Sequence, residues 1–364
     1  MLKNKLEKKY IHAYRKLKSA IVSGAYRKGA KLPGKRVLAN QEGISVITME
    51  HALAILEEEG YIEARMRSGF YVLYEPDSLF GDHPEEIHSF KGEQEMGTVT
   101  SKETLPPCIY TRAVRRVLSA HGDLLAPKLP GKGMVLLREA LARYLHRSRG
   151  MKVSIEQIVI GGGSEYLYTL LVQLLGREKT YAVEFPSYEK IASIYRANAV
   201  KIEYLRMGKE GITSAALAAS KADVLHITPY HSYPSHVTAS VNKRHAYINW
   251  AKTHGAWIIE DDFESEYTLS TKAEDTLFSM DPQRVIYVNT FTRTIGPALR
   301  MSYMVLPKEM VHVFDTQLGF YASTVSALLQ LTIAELLDDG AFERHINRVR
   351  RQRRKFWQAT GQGD

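Results

Sequence analysis

Three stretches of this 364-residue chain gather glycine, hydroxyl, carboxylate and guanidinium groups at spacings that could do chemistry. Gly161-Gly-Gly-Ser164 follows the apolar run Gln157-Ile-Val-Ile160 and precedes a helical pattern. Such a turn lets backbone amides and a helix N-terminus hold a phosphate, although a plain tight turn uses the same glycines. The second stretch, Ile259-Glu-Asp-Asp-Phe-Glu-Ser-Glu266, places carboxylates at the end of another apolar run. The third runs from Val285-Ile-Tyr-Val288 through Thr292-Arg293-Thr294 to Arg300. A guanidinium stays protonated at physiological pH and cannot condense with an aldehyde, whereas a tuned lysine amine can. No Cys/His cluster has metal-ligand spacing, so no metal site is expected.

Two kinds of scaffold must position these groups. Ile11, Tyr14, Leu17 and Ile21 recur at helical spacing, and a second helix is expected to start after Pro33. Ser45 is a suitable N-cap for a third helix striped by Met49, Ala52, Leu53 and Leu56 and ended by Gly60. Two β-rich runs, 61–65 and 70–74, follow, joined by Met66-Arg-Ser-Gly69. Three helices and a hairpin in this order make a winged helix-turn-helix over residues 1–75. Breakers from Pro76 to Gly97 predict a tether over 76–104. From 105 to 364, strands at 157–160, 180–183, 200–204, 223–227, 256–259 and 285–288 alternate with helical segments such as 166–175. That alternation predicts βαβ units, a largely parallel α/β sheet and function at strand C-termini.

Net charge is +9, and its placement matters more than its size. Residues 1–75 carry 14 Lys/Arg against 8 Asp/Glu, and residues 341–355 carry 7 against 1. Two basic poles around a near-balanced body suggest a polyanion partner for at least one of them. The basic pole at 344–355 reads either as a solvated helix or as a second DNA contact. The single Cys108 excludes an internal disulfide framework and suits a reducing cytoplasm. The basic N-terminus lacks the apolar core of a signal peptide, and no apolar run has membrane-spanning length.

Residues 8–75 resemble the DNA-binding domain of GntR-family regulators. Leu32-Pro33 with Arg36, Ser45 and Thr48, Ala52 with Leu56, Gly60-Tyr-Ile62 and Arg67-Ser-Gly-Phe-Tyr-Val72 carry the resemblance. A recognition helix presents its N-terminal residues to base edges while flanking cations and amides grip phosphates. The expected DNA contacts are Lys35, Arg36, Ser45, Thr48, His51, Arg65, Arg67, Ser68 and Gly69. The family often has arginine directly after the serine, and here Val46 stands there. Loss of a bidentate arginine–guanine contact removes about 1–3 kcal/mol of discrimination at one base pair.

From about 130 to 354 the chain resembles the aminotransferase-like domain of MocR-type regulators, a fold-type I pyridoxal phosphate (PLP) transferase fold. The resemblance places Arg293, between Thr292 and Thr294, where the family has the PLP lysine. It places Gly163, Ser164 and Glu165 in a phosphate cup, Glu165 replacing a glutamine, with Arg300 as the arginine that grips the phosphate. It sets Tyr188 beside the ring, Asp261 against the pyridinium nitrogen, and Phe263 where a tyrosine would bond the ring hydroxyl. In the turn 228–236, His236 replaces a glycine. The family continues past the basic helix into a small domain carrying the arginine for a substrate carboxylate, and this sequence ends at Asp364.

The resemblance implies a bacterial, nucleoid-associated cytoplasmic regulator that binds a double-stranded DNA operator as a homodimer. Its aminotransferase-like domain is expected to be non-catalytic and to serve dimerisation and the sensing of a small effector. No covalent cofactor is expected. Noncovalent PLP is favoured by Asp261 and Arg300 and opposed by Glu165 and Phe263. The alternative is a PLP-dependent enzyme or PLP-sensing regulator.

Overall fold

The computed structural model describes residues 9–65, 68–74, 103–263, 265–267 and 275–360. The expected tether at 76–104 and the predicted contact Arg67 therefore lie outside the described residues, apart from positions 103 and 104. The chain divides into two compact units, 1–94 and 95–364.

The smaller unit packs α1 (Lys9–Val22), α2 (Lys35–Gln41) and α3 (Val46–Glu58) on a hairpin of β1 (Ile62–Arg65) and β2 (Gly69–Val72). Leu17 and Ile21 of the expected α1 stripe are buried, and Ala13 joins them. Met49, Ala52, Leu53 and Leu56 of α3 are fully buried against them. The third helix starts where the sequence predicts, because the Ser45 hydroxyl accepts the Thr48 amide at 3.1 Å. That bond satisfies one of the amides left open by the first turn. The antiparallel hairpin pairs Ile62 with Val72 and Arg65 with Gly69.

The larger unit starts with α4 (Pro107–His121) and α5 (Val135–Arg149) and is built on an eight-stranded sheet. Its strands are β3 (Ile158–Gly161), β4 (Thr180–Phe185), β5 (Lys201–Gly208), β6 (Gly211–Ile212), β7 (Val224–Ile227), β8 (Trp257–Asp262), β9 (Val285–Thr290) and β10 (Ser302–Val305). The order is β3-β10-β9-β8-β7-β4-β5-β6. All six strands expected from sequence are present. The strands β9, β8, β7, β4 and β5 run parallel, while β10 is antiparallel to both its neighbours and β6 is antiparallel to β5.

Helices cover both faces of the sheet, which explains why its strands read as continuous apolar runs. Side chains alternate between faces with period two. Ile258 and Tyr287 thus join the core under α4, α5, α9 (Val241–His254), α12 (Ala327–Asp338) and α13 (Ala341–Thr360). Ile259 and Val288 join the opposite core under α6 (Ser164–Leu175), α7 (Glu189–Ala197) and α11 (Lys308–Leu318). The short helices α8 (Ser214–Ala219) and α10 (Leu277–Met280) complete the unit.

This topology sends the C-termini of β3, β4, β7, β8 and β9 to one edge. The antiparallel β10 begins at that edge, where Ser302 pairs with both Gly161 and Thr290. Arg300, two residues before Ser302, is thereby brought beside the glycine turn.

Candidate functional site

The smaller unit presents some of its expected contacts and engages others internally. Arg36 is exposed, and no described carboxylate pairs with it. Lys35 on α2 forms an ion pair with Glu50 on α3. Ser45 and Thr48 meet through their hydroxyls at 2.7 Å, so both serve the start of α3. His51 is exposed and sits edge-on to Tyr10 of α1 at 5.3 Å. On the hairpin, Arg65 pairs with Glu63 at 2.5 Å and lies over the Tyr71 ring at 4.3 Å. Ser68 bonds the Tyr71 hydroxyl at 2.7 Å, and Gly69 has φ +113°, a conformation that disfavours any side chain.

Two residues of this surface were not expected from sequence. Ile47, in the first turn of α3, is 78% exposed, more than any other described large apolar residue. Lys31 bridges Tyr71, and its side chain runs beside Gly69. The exposure of Ile47 follows from its position opposite the Met49, Ala52, Leu53 and Leu56 stripe, a signal that was readable in the helical period. The placement of Lys31 needs the third dimension.

In the larger unit, the glycine turn, Glu165 and Arg300 meet at the strand edge. Gly163 has φ +102°, and a Cβ there would come within 2.7 Å of the Arg300 guanidinium. The Glu165 carboxylate forms ion pairs with Arg300 and, at 2.8 Å, with Lys190 of α7. Burial pushes the Glu165 carboxyl up, but hydrogen bonds from Lys190, its own backbone amide and Arg300 hold it below the usual carboxylate range. The hydrogen bond to Glu165 correspondingly raises the Lys190 ammonium, which stays protonated. Gly162 donates its amide to the Thr324 hydroxyl at 2.9 Å, and Gly163 donates to Gly161 at 2.9 Å. The amides of Gly162 and Gly163 and the Arg300 guanidinium are thus already engaged from within the chain. An open cleft of about 410 Å³ lies beside them, lined by Gly162, Tyr166, Leu299, Arg300, Thr324 and Ser326.

Asp261 and Asp262 point to opposite faces of β8, as alternation requires. Asp261 is buried and accepts the Tyr168 hydroxyl at 2.5 Å, with His226 Nε2 at 3.7 Å. His226 Nδ1 meets the Tyr195 hydroxyl at 2.6 Å. Ser164, one turn before Tyr168, also bonds that phenol. Asp262 instead accepts the Tyr287 hydroxyl at 2.7 Å and pairs with Arg149 at 3.3 Å. Phe263 is half-buried just past β8.

The remaining residues line the mouth. Tyr188 is 48% exposed and edge-on to Tyr233 at 6.1 Å. His236, in the position of the expected glycine, has φ +54° and packs edge-on against Tyr233. Below the turn, Ser232 donates to Glu184 at 2.6 Å, and burial pushes the Glu184 carboxyl up to about 8. Thr292 is bonded to Thr290 at 2.8 Å. Arg293 is half-buried in the turn after β9, where its charge acts on the Tyr267 phenol. Sequence reasoning did not find Tyr168, Tyr195, Lys190, His226 or Thr324, all of which join this site from distant positions.

Comparison with known proteins matches residues 9–72 to the model described as bacterial regulatory proteins, gntR family. Residues 100–360 match aminotransferase class I and II. The chain is 32% identical to an uncharacterized HTH-type transcriptional regulator, YdeL, of Bacillus subtilis over 95% of its own length and 77% of that protein's. It is 26% identical to the probable rhizopine catabolism regulatory protein MocR of Rhizobium meliloti, covering 93% of this chain and 73% of that one. Among solved structures it is similar in fold to LysN, an α-aminoadipate aminotransferase from Thermus thermophilus. The TM-score there is 0.64 at 24% identity, over 72% of this chain and 68% of that one.

Proposed function

The chain belongs to the GntR-type regulators that carry an aminotransferase class I and II domain, and from that premise we propose a DNA-binding transcriptional regulator whose larger unit does not turn over amines. The observation that carries the non-catalytic half is the Glu165 carboxylate on Arg300 and Lys190. Negative charge already occupies the end of the pocket where the family's cofactor phosphate would bind.

Covalent PLP does not fit these residues. Arg293 offers no amine that can form a Schiff base, and Lys190 is held protonated by Glu165. Noncovalent PLP would find Asp261 in a suitable buried position, but Arg300 is available to its phosphate only if Glu165 is displaced. The larger unit serves as a dimerisation and effector-sensing domain.

On the smaller unit, Arg36 and the Lys31 side of the hairpin supply phosphate contacts. The exposed start of α3, with Ile47 at its tip, faces base edges in the major groove. Pairing two winged helices on one palindromic operator adds their contacts.

Two measurements on one preparation test the proposal. Fragments of the source genome selected by binding should give a specific, salt-dependent complex, and mixing with PLP should give no aldimine absorbance and no borohydride-fixed adduct. A preparation that turns yellow, consumes amino acids and retains no DNA overturns both halves.

A further inference from the structure

A second concavity of the larger unit, a cleft of about 320 Å³ between α4 and α13, plays no part in the pocket described above. Five arginines line it: Arg112 and Arg116 from α4, and Arg344, Arg348 and Arg351 from α13. Spacings of three and four residues stack each set on one helix face. The one carboxylate among the lining residues is Asp339. It lies 3.3 Å from Arg116 and 3.7 Å from Arg344, and Glu335 takes Arg116 at 2.9 Å.

Among the described residues, no carboxylate lies within ion-pair distance of Arg112, Arg348 or Arg351. Arg351 turns back to the carbonyl of Asn347 at 3.4 Å. Arg348 donates to His345 Nδ1 at 3.0 Å. His345 Nε2 faces the carbonyls of Thr294 at 3.0 Å and Glu103 at 3.1 Å, so Nε2 carries the proton. Burial holds this imidazole below its ordinary range, so the partner of Arg348 is neutral. Arg348 Nε is itself buried, with no hydrogen-bond partner among the described residues. Clustered cations and a buried donor of this kind both favour an anion in the cleft.

We infer that the cleft is a binding site for a small phosphorylated anion carrying linked phosphate groups. Guanidinium forks match phosphate oxygens two at a time, and several forks converge here. A volume near the lower end of small-ligand pockets suits such a molecule. A DNA duplex suits it less, because Asp339 and Glu335 would stand against its continuous row of phosphates.

Calorimetric titration of the full chain with inorganic pyrophosphate at physiological ionic strength, followed by competition with random-sequence duplex, tests the inference. Wild type should show one saturable site. Arg112→Glu, which disturbs no described ion pair, should weaken it by about tenfold or more. Arg348→Gln should weaken it comparably. Arg196→Glu, the same charge change on α7, should leave it unaltered. Absence of saturation, or equal losses in Arg112→Glu and Arg196→Glu, overturns the site. So does displacement of pyrophosphate by random-sequence duplex with a matching loss of duplex affinity in Arg112→Glu, which would make the cleft a DNA-backbone contact.

Discussion

Glu165 stands between Arg300 and Lys190 as the counter-ion that an incoming phosphate would have to replace. Its neutral isostere leaves both cations uncompensated and removes the repulsion. Glu165→Gln is therefore expected to strengthen inorganic phosphate binding by about tenfold or more, since even one charge-assisted hydrogen bond is worth about 1.5–3 kcal/mol. Titration calorimetry reads this directly, and unchanged affinity would show that the carboxylate is not what closes the cup. Arg293→Lys alone is expected to yield no transamination in a coupled amino-acid assay. It supplies an amine but leaves Glu165 on Arg300 and no hydroxyl at Phe263. Turnover by that single variant would show the pocket to be far closer to working order than its contacts indicate.

At the scale of elements, the strand ends place carboxyl groups in positions that make the sheet sensitive to acidity. Burial pushes Glu184 at the end of β4 up to about 8, and Glu260 on β8 likewise to about 8, against 4.5 in the unfolded chain. Between those values the unfolded chain has lost a proton that the folded chain keeps. Raising the pH from 5 to 8 should consequently lower stability, by up to about 1.4 kcal/mol per pH unit for each group. Glu184→Gln can still accept from Ser232 and should roughly halve that slope in denaturation at pH 5, 6, 7 and 8. A slope identical to wild type would mean that Glu184 is ionised in the folded protein. The strands that carry these groups were legible because both their faces are buried, which leaves long apolar runs. β10 was not, since four residues following a motif give no period, and β6 is shorter still. Helix starts were readable from chemistry, as Ser45 shows. Pairings were not: Lys190 reaches Glu165 across 25 positions, and Lys35 meets Glu50 across 15. Asp261 and Asp262 look equivalent in a string, and only the strand's alternation sends one to Tyr168 and the other to Arg149.

On the scale of the whole molecule, the smaller unit keeps DNA contact and the larger one keeps a transferase scaffold whose charged groups have been turned on one another. Arg36 is exposed, with no described carboxylate on it, and is the first of the proposed phosphate contacts to test. Arg36→Ala should weaken binding to all sequences alike, and one phosphate fewer in the interface should flatten the plot of log affinity against log salt by about 0.9. A plot parallel to wild type would remove Arg36 from the interface.

Ile47 has a consequence of its own. An isoleucine 78% open to water at the tip of a helix gains only by meeting another greasy surface, and in a DNA groove the thymine methyl is such a surface. Its vocabulary is therefore carbon rather than hydrogen bonds. Operator DNA synthesised with deoxyuridine in place of thymidine keeps every base pair and every phosphate, yet should bind more weakly by roughly 0.8 kcal/mol for each methyl that Ile47 touches. Ile47→Ala should make the protein indifferent to that exchange.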